Sequence, residues 1–567
     1  MSTTQQLQQT LNLHRSGDLK QAESAYREII DREPENADAL HLLGVVLHQR
    51  DQNDEAVELI QRAIAIKPDN ASFHTNLGAA FRAADKTDQA RAAYQRALKL
   101  DPRNAKAHNN LGNLLKELDE PLPAIQHYRQ AIRIDPDFAE AYHNLGSILA
   151  DRDRLDEAIE CFHRALCLKP NYADAHNGLG KALRQQGKHQ QALARYEQAL
   201  QIKPDYAEAY NNQGVALQSL CQLPQAIAAY DKAIELNADY VEAHVNRSLA
   251  RLLLGDYSRG LEEYEWRWKR PESPAREFSK PPWTGEDLDG QTLLLHAEQG
   301  LGDTLQFIRY AALAKQRGAR IVVACQPTLV PLLSRCEYID ELANNEAGKL
   351  PPFDLHAPLV SLPWLFGTTL ETIPADVPYL TADPDLVEHW RPKIEAAGGF
   401  RIGIHWQGNS TYGMDRFRSM PLDQFAPLAA IPGVRLISLQ KGPAAAQLDR
   451  VRFPVTRLPD DFDEPRGAFT DTAAVLAHLD LVIGCDSAIN HLAGALAVPV
   501  WVALQYAPNW RWHLDRSNSP WYPTMTLLRQ PSPGRWPPVF QAAAAQLRRT
   551  LGEEELGVGG EDRGARD

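Results

Sequence analysis

Two stretches of the chain combine glycine, aspartate and the start of a predicted helix in a way that suits the binding of an anionic group. One is LVIGCDSAINHLAGALAVPVWVAL, residues 481–504, and the other is EQGLGD, residues 298–303. An apolar run typical of a buried parallel strand, at residues 481–483 in the first stretch and 292–297 just before the second, leads through glycine and aspartate into a helix. Unpaired backbone N–H groups and the helix dipole favour negative charge at such a junction. Phosphate binding is therefore the chemistry that these stretches predict.

The first stretch supplies five candidate binding residues. The N–H groups of Ser487 and Ala488 open the predicted helix, where they are placed to hold phosphate oxygens. Gly484 leaves room at the end of the strand, Asp486 adds a carboxylate, and His491 lies one turn further along. A lone histidine on a helix faces either a ligand or the core, and both interpretations stay open.

Two further groups of residues complete the candidate site. In the second stretch, Gly300 and Gly302 permit positive φ and close approach of the backbone, and Asp303 begins the helix, where it can act as a helix cap. The other polar candidates lie at the end of the strand predicted over residues 400–408 and in the segment that follows it, and they are His405, Gln407, Asn409, Arg416 and Arg418. A guanidinium group can engage two phosphate oxygens at once, whereas a solvated loop arginine is the alternative.

Composition excludes several function classes. The 567 residues carry 73 acidic and 60 basic side chains and a formal charge of −13, which does not suit nucleic acid or anionic lipid as the main partner. Six cysteines without a CxxC pair indicate reduced thiols in the cytoplasm rather than disulfides or a zinc site. The start MSTTQQLQQTL lacks a signal-peptide pattern, and no run of about 18 apolar residues occurs, so we expect a soluble protein without a membrane span.

The first half of the chain repeats with a period of 34 residues. Small residues at fixed positions let antiparallel helices approach closely, and a proline ends each second helix. The pattern is that of the tetratricopeptide repeat and covers about residues 3–270. The proline series is Pro34, Pro68, Pro102, Pro136, Pro170 and Pro204, and the glycine series is Gly44, Gly78, Gly112, Gly146, Gly180 and Gly214.

One position on the first helix of each repeat is mostly asparagine. An asparagine amide offers a donor and an acceptor, so a row of them along the concave face can hold the backbone of an extended peptide. The row resembles the asparagine ladder of the nucleocytoplasmic O-linked N-acetylglucosamine transferases, while a mere consensus preference for asparagine is the alternative. The predicted peptide-binding residues are Asn76, Asn110, Asn144, Asn212 and Asn246.

In the second half, strands alternate with helices, which predicts parallel sheets. We expect a linker at 271–290, one Rossmann-like domain at 291–390, another at 391–550 and a disordered tail at 551–567. The predicted strands are 292–300, 319–325, 400–408, 434–442, 481–483 and 498–504, and the predicted helices are 303–318, 327–336, 421–431, 471–479 and 488–497.

Four segments in this half together resemble the ADP-heptose:lipopolysaccharide heptosyltransferases, over about residues 283–530. Bacterial tetratricopeptide proteins with a heptosyltransferase-like C-terminal half are more similar still. The segments are EQGLGDTLQFIRYAALA, RIGIHWQGN, DRFRSMPLDQFAPL and DTAAVLAHLDLVIGCDSAINHLAGALAVPVWVAL. The resemblance implies the GT-B fold of two facing Rossmann-like domains, and transfer of a sugar from a nucleotide diphosphate.

The resemblance also assigns roles. It implies that Asp303 is the catalytic base and that Arg418 offsets the charge of the departing diphosphate. From its position at the strand end, we expect the Asp486 carboxylate to face the sugar hydroxyl groups. We expect His405, Gln407, Asn409 and Arg416 to contact the donor, His491 to face the phosphate or the core, and neither metal nor cofactor to be needed. The segment QYAPNWRWHLDRSNSPWYPTMTLLRQ departs from the family, and its residues Trp510, Arg511 and Trp512 either stack on a base or sugar or fill a core.

The resulting expectation is a cytoplasmic, bacterial, inverting glycosyltransferase that needs no metal ion. Its donor is a nucleotide-diphosphate sugar of unknown nucleotide, and its repeat array recruits a protein or peptide acceptor. Two alternatives remain, which are transfer to a lipid-linked or polysaccharide acceptor and a scaffold that binds nucleotide without turnover.

Overall fold

The computed structural model describes residues 2–271, 273, 278–344, 350–411, 413, 415–464 and 467–552. Contacts divide the chain into two compact units, Met1–Ala216 and Leu217–Asp567. The tail predicted to be disordered lies outside the described residues from position 553 onward, and the predicted linker is described only in part. Within the described part of the chain, no helix is both long enough and apolar enough to cross a membrane.

The first unit is an array of antiparallel helix pairs, as the 34-residue period predicts. Adjacent helices bury the alanines of the repeat together with one large ring per repeat, among them Tyr94, Tyr128, Phe162 and Tyr196. The helices are α1 (Thr3–Arg15), α2 (Leu19–Arg32), α3 (Ala37–Gln49), α4 (Asn53–Ile66), α5 (Ala71–Ala83), α6 (Thr87–Leu100), α7 (Ala105–Glu117), α8 (Pro121–Ile134), α9 (Ala139–Asp151), α10 (Leu155–Leu168), α11 (Ala173–Gln185), α12 (His189–Ile202) and α13 (Ala207–Ser219), which continues into the second unit.

A left-handed residue ends the first helix of the repeats and turns the chain into the second helix. Aspartate and glycine adopt this conformation at little cost, and cysteine stands there once as a departure. The series again keeps a spacing of 34 residues, and its members are Gly17, Asp51, Asp85, Asp119, Asp153, Gly187, Cys221 and Gly255, with φ between 55° and 88°.

The second unit begins with the last repeats, α14 (Leu223–Leu236), α15 (Val241–Leu253) and α16 (Tyr257–Tyr264). These helices pack directly on the following α/β part. The Tyr257 hydroxyl lies 3.3 Å from His513 Nε2, and the Cys221 thiol donates to the Tyr506 carbonyl at 3.4 Å. The division of the contacts falls at Ala216 and not at the predicted domain boundary of residue 270. In the second unit, the Tyr257 ring of the last repeat packs against the rings of Trp510 and Trp521.

The first sheet is parallel and has the strand order β3-β2-β1-β4. The helix predicted over 303–318 is broken into two near residue 308. The strands are β1 (Thr292–His296), β2 (Arg320–Cys325), β3 (Glu341–Asn344) and β4 (Leu355–Pro358), and the helices are α17 (Leu301–Phe307), α18 (Tyr310–Gln316), α19 (Val330–Leu333) and α20 (Leu362–Leu365).

The second sheet is also parallel, with the order β6-β5-β7-β8-β9. Its strands are β5 (Phe400–His405), β6 (Val434–Ser438), β7 (Leu481–Cys485), β8 (Val500–Leu504) and β9 (Met525–Arg529). The helices of this part are α21 (Pro384–Glu395), α22 (Asp415–Arg418), α23 (Ala426–Ala429), α24 (Thr470–Leu476), α25 (Ala488–Ala495) and α26 (Pro537–Leu551).

The boundary between the two α/β domains differs from the predicted one at helix α21. The sequence predicted that the first Rossmann-like domain ends at residue 390. In the structure, however, Trp390 Nε1 donates to Asp471 Oδ1 at 2.8 Å, and His478 Nε2 donates to the Val387 carbonyl at 2.8 Å. These contacts attach α21 to α24 of the second sheet. The second α/β domain therefore starts before residue 384.

Both sheets contain a point where the strand order reverses. In the first sheet the neighbours of β1 are β2 and β4, and in the second sheet the neighbours of β5 are β6 and β7. Ligands of open α/β sheets bind outside the carboxyl ends of the strands at such points. The loop from β1 to α17 and the loop from β7 to α25 both begin there.

Glycine at the eighth position of the first repeat helix allows a test of the packing in the array. A Cβ at Gly180 would lie 2.5 Å from Tyr196 Cε1, whereas a Cβ at Gly146 would lie 3.1 Å from Phe162. Alanine favours a helix over glycine by about 1 kcal/mol, and overpacking costs about 1–3 kcal/mol. We expect Gly180→Ala to lower the urea midpoint and Gly146→Ala to leave it nearly unchanged. Equal effects of the two substitutions would contradict this packing.

Candidate functional site

The two stretches singled out by the sequence meet at the first turns of α17 and α25. Gly302 of α17 lies directly against α25, because a Cβ at this position would be 3.1 Å from His491 Cδ2 and 3.3 Å from Ala488 Cα. A side chain at Gly302 would require His491 and Ala488 to shift by a few tenths of an ångström. The glycine thus serves the close approach that the sequence predicts, with the neighbouring helix as its partner, whereas neither Gly300 nor Gly302 adopts a positive φ.

Asp303 caps α17 and also forms an ion pair. Its Oδ2 accepts the Gly300 N–H at 3.0 Å, which is the helix-capping role that the sequence predicts. Its Oδ1 accepts from Arg511 Nη2 at 2.5 Å. Since Arg511 follows β8 and Asp303 follows β1, this ion pair joins the two sheets. A quarter of the Asp303 side chain remains exposed.

Arg511 is held by neutral groups on its other sides, an arrangement that the sequence did not indicate. Its Nε donates to Gln306 Oε1 at 2.5 Å, and its Nη1 donates to Asn509 Oδ1 at 3.0 Å. The guanidinium lies 4.6 Å from the Trp510 ring centroid and 5.1 Å from that of Phe307. The sequence singled out Arg511 only as part of a segment that departs from the heptosyltransferase pattern and either stacks on a ligand or fills a core.

Arg418 lies against the end of β7. Its Nη1 donates to the Asp486 carbonyl at 3.0 Å, and its Nε donates to Asp415 Oδ1 at 3.0 Å. A Cβ at Gly408 would overlap the guanidinium, so the glycine is needed for this position. Arg418 therefore lies at the strand end that carries Asp486, and the charges of Arg418 and Asp303 both act on the Asp486 carboxyl group.

The Asp486 carboxyl group has an electrostatic environment unlike that of Asp303. Burial raises the pKa of Asp486, the Trp512 indole N–H and the guanidinium groups of Arg418 and Arg511 oppose this, and the charge of Asp303 adds to it. Among the residues that the structure describes, no cation lies within 4 Å of the Asp486 carboxylate oxygens. The site thus holds two carboxylates, of which one is ion-paired.

The sequence predicted that His405 contacts the donor, but the structure buries this side chain. The side chain is completely buried, its Nε2 donates to Asn490 Oδ1 at 2.9 Å, and its Nδ1 lies 3.3 Å from Ser487 Oγ. Burial lowers the pKa of His405 to about 4, so the ring is neutral at pH 7. The room beside Gly484 is filled by this ring, because a Cβ at Gly484 would overlap it. Through its contacts with Ser487 and Asn490, His405 therefore positions the start of α25.

His491 is packed, which is one of the two interpretations left open by the sequence. Its Nδ1 lies 3.0 Å from the Tyr522 hydroxyl, and its ring stacks on Trp512 with centroids 5.6 Å apart. Burial, with the nearby charges of Arg511 and Arg309, lowers its pKa well below the ordinary value. The ring is neutral and fills space behind the first turn of α25. Trp512 is itself fully buried, so it belongs to the core rather than to an open stacking surface.

The remaining candidates are arranged from the edge of the site outward. Gln407 is half-buried, and its Nε2 donates to Asp415 Oδ2 at 3.3 Å. Asn409 is exposed and accepts from Thr411, and Arg416 is exposed, with its guanidinium 5.2 Å from the Phe417 ring centroid. In the described parts of the chain, no group of three or more His, Cys, Asp or Glu side chains is arranged to hold a metal ion.

Glu298 is a buried carboxyl group that sequence reasoning missed. Its side chain is 4% exposed, its Oε1 accepts the Val360 N–H at 3.1 Å, and Arg267 Nη2 lies 3.5 Å away. Within the described residues, its Oε2 has no hydrogen-bond partner. Burial raises its pKa to about 7, against the opposing charge of Arg267. Glu298 connects the loop after β1 to the loop after β4, across the point where the strand order reverses.

In the first unit, the predicted asparagine ladder also links adjacent repeats. Asn144 Nδ2 donates to Asn109 Oδ1 at 2.9 Å, and Asn212 Nδ2 donates to Asn177 Oδ1 at 3.0 Å. Asn76 Nδ2 lies 2.8 Å from the Nε2 of the histidine 35 residues earlier. The ladder residues Asn76, Asn144 and Asn212 are partly exposed, as are Asn110 and, in the second unit, Asn246. The ladder therefore stabilises the stack of repeats and still presents polar groups.

The fold defines a repeat solenoid that continues into an α/β part with two parallel sheets. Models of the tetratricopeptide repeat match residues 13–79, 78–119, 105–138, 137–205 and 207–240, which confirms the repeat prediction. Arrays of this class present an extended binding surface, so the matches support protein interaction as a role of this segment.

Three known proteins are similar to parts of this chain. Protein FlbA of Caulobacter vibrioides is 28% identical over 322 residues, which cover 52% of this chain and 53% of FlbA, so this chain spans about half the length of that relative. The structure of MamA is 32% identical and covers 29% of this chain and 95% of MamA, with a TM-score of 0.27. YrrB, described as a TPR protein with an unusual peptide-binding site, is 24% identical over 33% of this chain and 96% of YrrB, with a TM-score of 0.28.

The raised pKa of Glu298 predicts a pH-dependent stability difference. Between the ordinary pKa of 4.5 and about 7, the unfolded chain loses the Glu298 proton while the folded protein keeps it, so this group makes folding less favourable as pH rises. Relative to wild type, we expect Glu298→Gln to gain stability across this range, by at most about 3 kcal/mol above pH 7, and nothing below pH 4.5.

Urea denaturation of both proteins from pH 4.5 to pH 8 measures this difference. The matched control is Glu262→Gln, on the exposed face of α16, which should follow the wild-type profile. A difference between Glu298→Gln and wild type that does not change with pH would contradict the assigned environment of Glu298.

Proposed function

We propose that the second unit is an inverting, metal-independent glycosyltransferase of the GT-B type, similar to the heptosyltransferases. One observation carries the proposal. The loops at the reversal points of two separate parallel sheets meet, because Asp303 of one pairs with Arg511 of the other and Gly302 lies against Ala488. Asp486, whose carbonyl accepts from Arg418, lies two residues before Ala488. The donor in this proposal is a nucleotide-diphosphate sugar, and the reaction takes place in the cytoplasm.

The proposed reaction uses groups on both sides of the site. Asp303 accepts the proton of the acceptor hydroxyl group, and the hydroxyl oxygen bonds to the anomeric carbon of the sugar. The bond from that carbon to the diphosphate oxygen breaks, and both electrons leave with the diphosphate. The N–H groups of Ser487 and Ala488 at the start of α25, together with Arg418, hold the departing anion.

The repeat array is proposed to deliver a protein acceptor. Its last repeats contact the loops of the site directly, since Gln299 Nε2 donates to the Tyr264 hydroxyl at 3.1 Å and α15 packs against the turn Trp510–Trp512. The partly exposed asparagine ladder supplies donors and acceptors for an extended peptide backbone. Transfer to a lipid-linked or polysaccharide acceptor would use the same site with the array bound to a partner protein.

Binding of a sugar nucleotide is the first test. We expect at least one sugar derivative of ADP, GDP, UDP or dTDP to raise the melting temperature of the intact protein, because a ligand at 100 times its Kd adds about 2.7 kcal/mol of stability. Differential scanning fluorimetry with each donor at several concentrations measures the shift. No shift with any of the four nucleotide series would contradict the proposal.

Loss of the proposed base is the second test. We expect Asp303→Asn to lower turnover of the stabilising sugar nucleotide by about 10²- to 10⁴-fold, as for other general bases, with a retained fold. Release of nucleoside diphosphate measures turnover, and Asp423→Asn, an exposed aspartate in the turn before α23, is the control with the same change of charge. Binding of the donor without turnover in the wild-type protein would favour the scaffold interpretation.

A further inference from the structure

The contacts of Arg511 within the described residues do not account for all of its hydrogen-bond donors. A guanidinium group carries five N–H donors, and three of these have acceptors among the described residues, on Asp303, Gln306 and Asn509. The side chain is only 9% exposed. Because a buried, charged donor without an acceptor is costly, the remaining N–H groups are suited to bind an anionic ligand.

The charge around Arg511 places that ligand next to α25. Arg511 lies close to α25, because the ring of the next residue, Trp512, stacks on His491, and Gly302, next to Asp303, lies against Ala488. The positive charge of Arg511 adds to the lowering of the His491 pKa by burial and opposes the raising of the Asp486 pKa by burial. These two residues flank the first turn of α25, which is the proposed diphosphate site. Arg511 therefore stands between the proposed leaving group on one side and the proposed base, Asp303, on the other.

We propose that Arg511 is a further catalytic residue that exchanges its ion pair with Asp303 for the diphosphate of the donor. This inference rests on the proposed function. Donor binding brings phosphate oxygens to the guanidinium and releases Asp303 Oδ1, so that the base becomes free only when a sugar nucleotide is present. The exchange leaves no uncovered base to act on water in the absence of the donor.

The surroundings of Arg511 suit such an exchange. Gln306 Oε1 and Asn509 Oδ1 are neutral acceptors, and the ring faces of Phe307 and Trp510 lie on its sides, so the guanidinium stays oriented when the charged partner changes. A diphosphate also carries more negative charge than one carboxylate and can accept two parallel N–H bonds from a guanidinium. Only the contact to Asp303 has to break.

The reaction then follows with all atoms accounted for. The acceptor hydroxyl proton moves to Asp303 Oδ1, the hydroxyl oxygen forms its bond to the anomeric carbon, and the carbon–oxygen bond to the diphosphate breaks with its electron pair on the diphosphate. Arg511 and Arg418 hold that diphosphate. When the diphosphate leaves, Arg511 returns to Asp303.

A double-mutant cycle tests the exchange in the full-length protein. The probes are ADP, GDP, UDP and dTDP, each titrated by isothermal calorimetry against wild type, Asp303→Asn, Arg511→Gln and the double variant. We expect Arg511→Gln to weaken the nucleoside diphosphate that binds wild type best by about tenfold or more. Asp303→Asn should instead tighten it by several-fold, because Arg511 is then no longer shared with a carboxylate.

The decisive quantity is the effect of Asp303→Asn without Arg511. If the exchange occurs, the tightening disappears in the Arg511→Gln background. An equal tightening in that background shows simple loss of a negative charge and overturns the exchange, and so does weaker binding by Asp303→Asn alone. Absence of binding to wild type by all four probes overturns the proposed function together with this inference.

Two further variants serve as controls, one for the loss of a positive charge and one for the loss of the guanidinium donors. Arg516→Gln removes a positive charge from the same segment at a partly exposed position, and it should bind the probe as wild type does. Arg511→Lys keeps the charge and loses the fork of donors, so we expect most of the loss seen in Arg511→Gln. Wild-type affinity in both Arg511 variants would show that Arg511 does not touch the diphosphate.

Discussion

The ion pair of Asp303 and Arg511 is the interaction on which the arrangement of the second unit depends. It joins the helix after β1 of one sheet to the segment after β8 of the other, at a place where Gly302 already brings α17 against α25. An ion pair with buried hydrogen bonds on its cationic side has a defined geometry, unlike a surface pair of two mobile side chains. The ion pair therefore fixes the position of one sheet relative to the other at the site.

Around this pair, the chain keeps several groups in environments that do not favour their charged forms. Burial raises the pKa of Glu298 and of Asp486 and lowers the pKa of His405 and His491. Such perturbed groups cluster at functional sites, where stability is given up for chemistry, although structural networks also perturb pKa values. The two histidines are neutral, packed groups below α25. The two carboxyl groups lie at the ends of β1 and β7, where ligands of parallel sheets bind.

The end of the repeat array belongs physically to the α/β part. Tyr257 and Cys221 contact the segment that carries Arg511, and Arg267 approaches Glu298 in the loop after β1. A solenoid is stabilised by contacts between neighbouring repeats, so its terminal repeat needs a cover for its open face. Here the sheets provide that cover. An acceptor bound near Asn246 would thus lie on the same compact unit as the proposed catalytic groups.

The sequence by itself determined the repeat, the alternation of strands and helices, and the loops that hold Asp303, Arg418 and Asp486, because local periodicity and glycine-containing turns are encoded by neighbouring residues. It also indicated the cap at Asp303 and one correct alternative for His491. Only the tertiary structure decided that the ring of His405 fills the space beside Gly484, that Glu298 is buried, and that Arg511 pairs with Asp303. The two residues of that pair are 208 positions apart, and no local pattern specifies a contact that depends on how two sheets and the last repeats pack together.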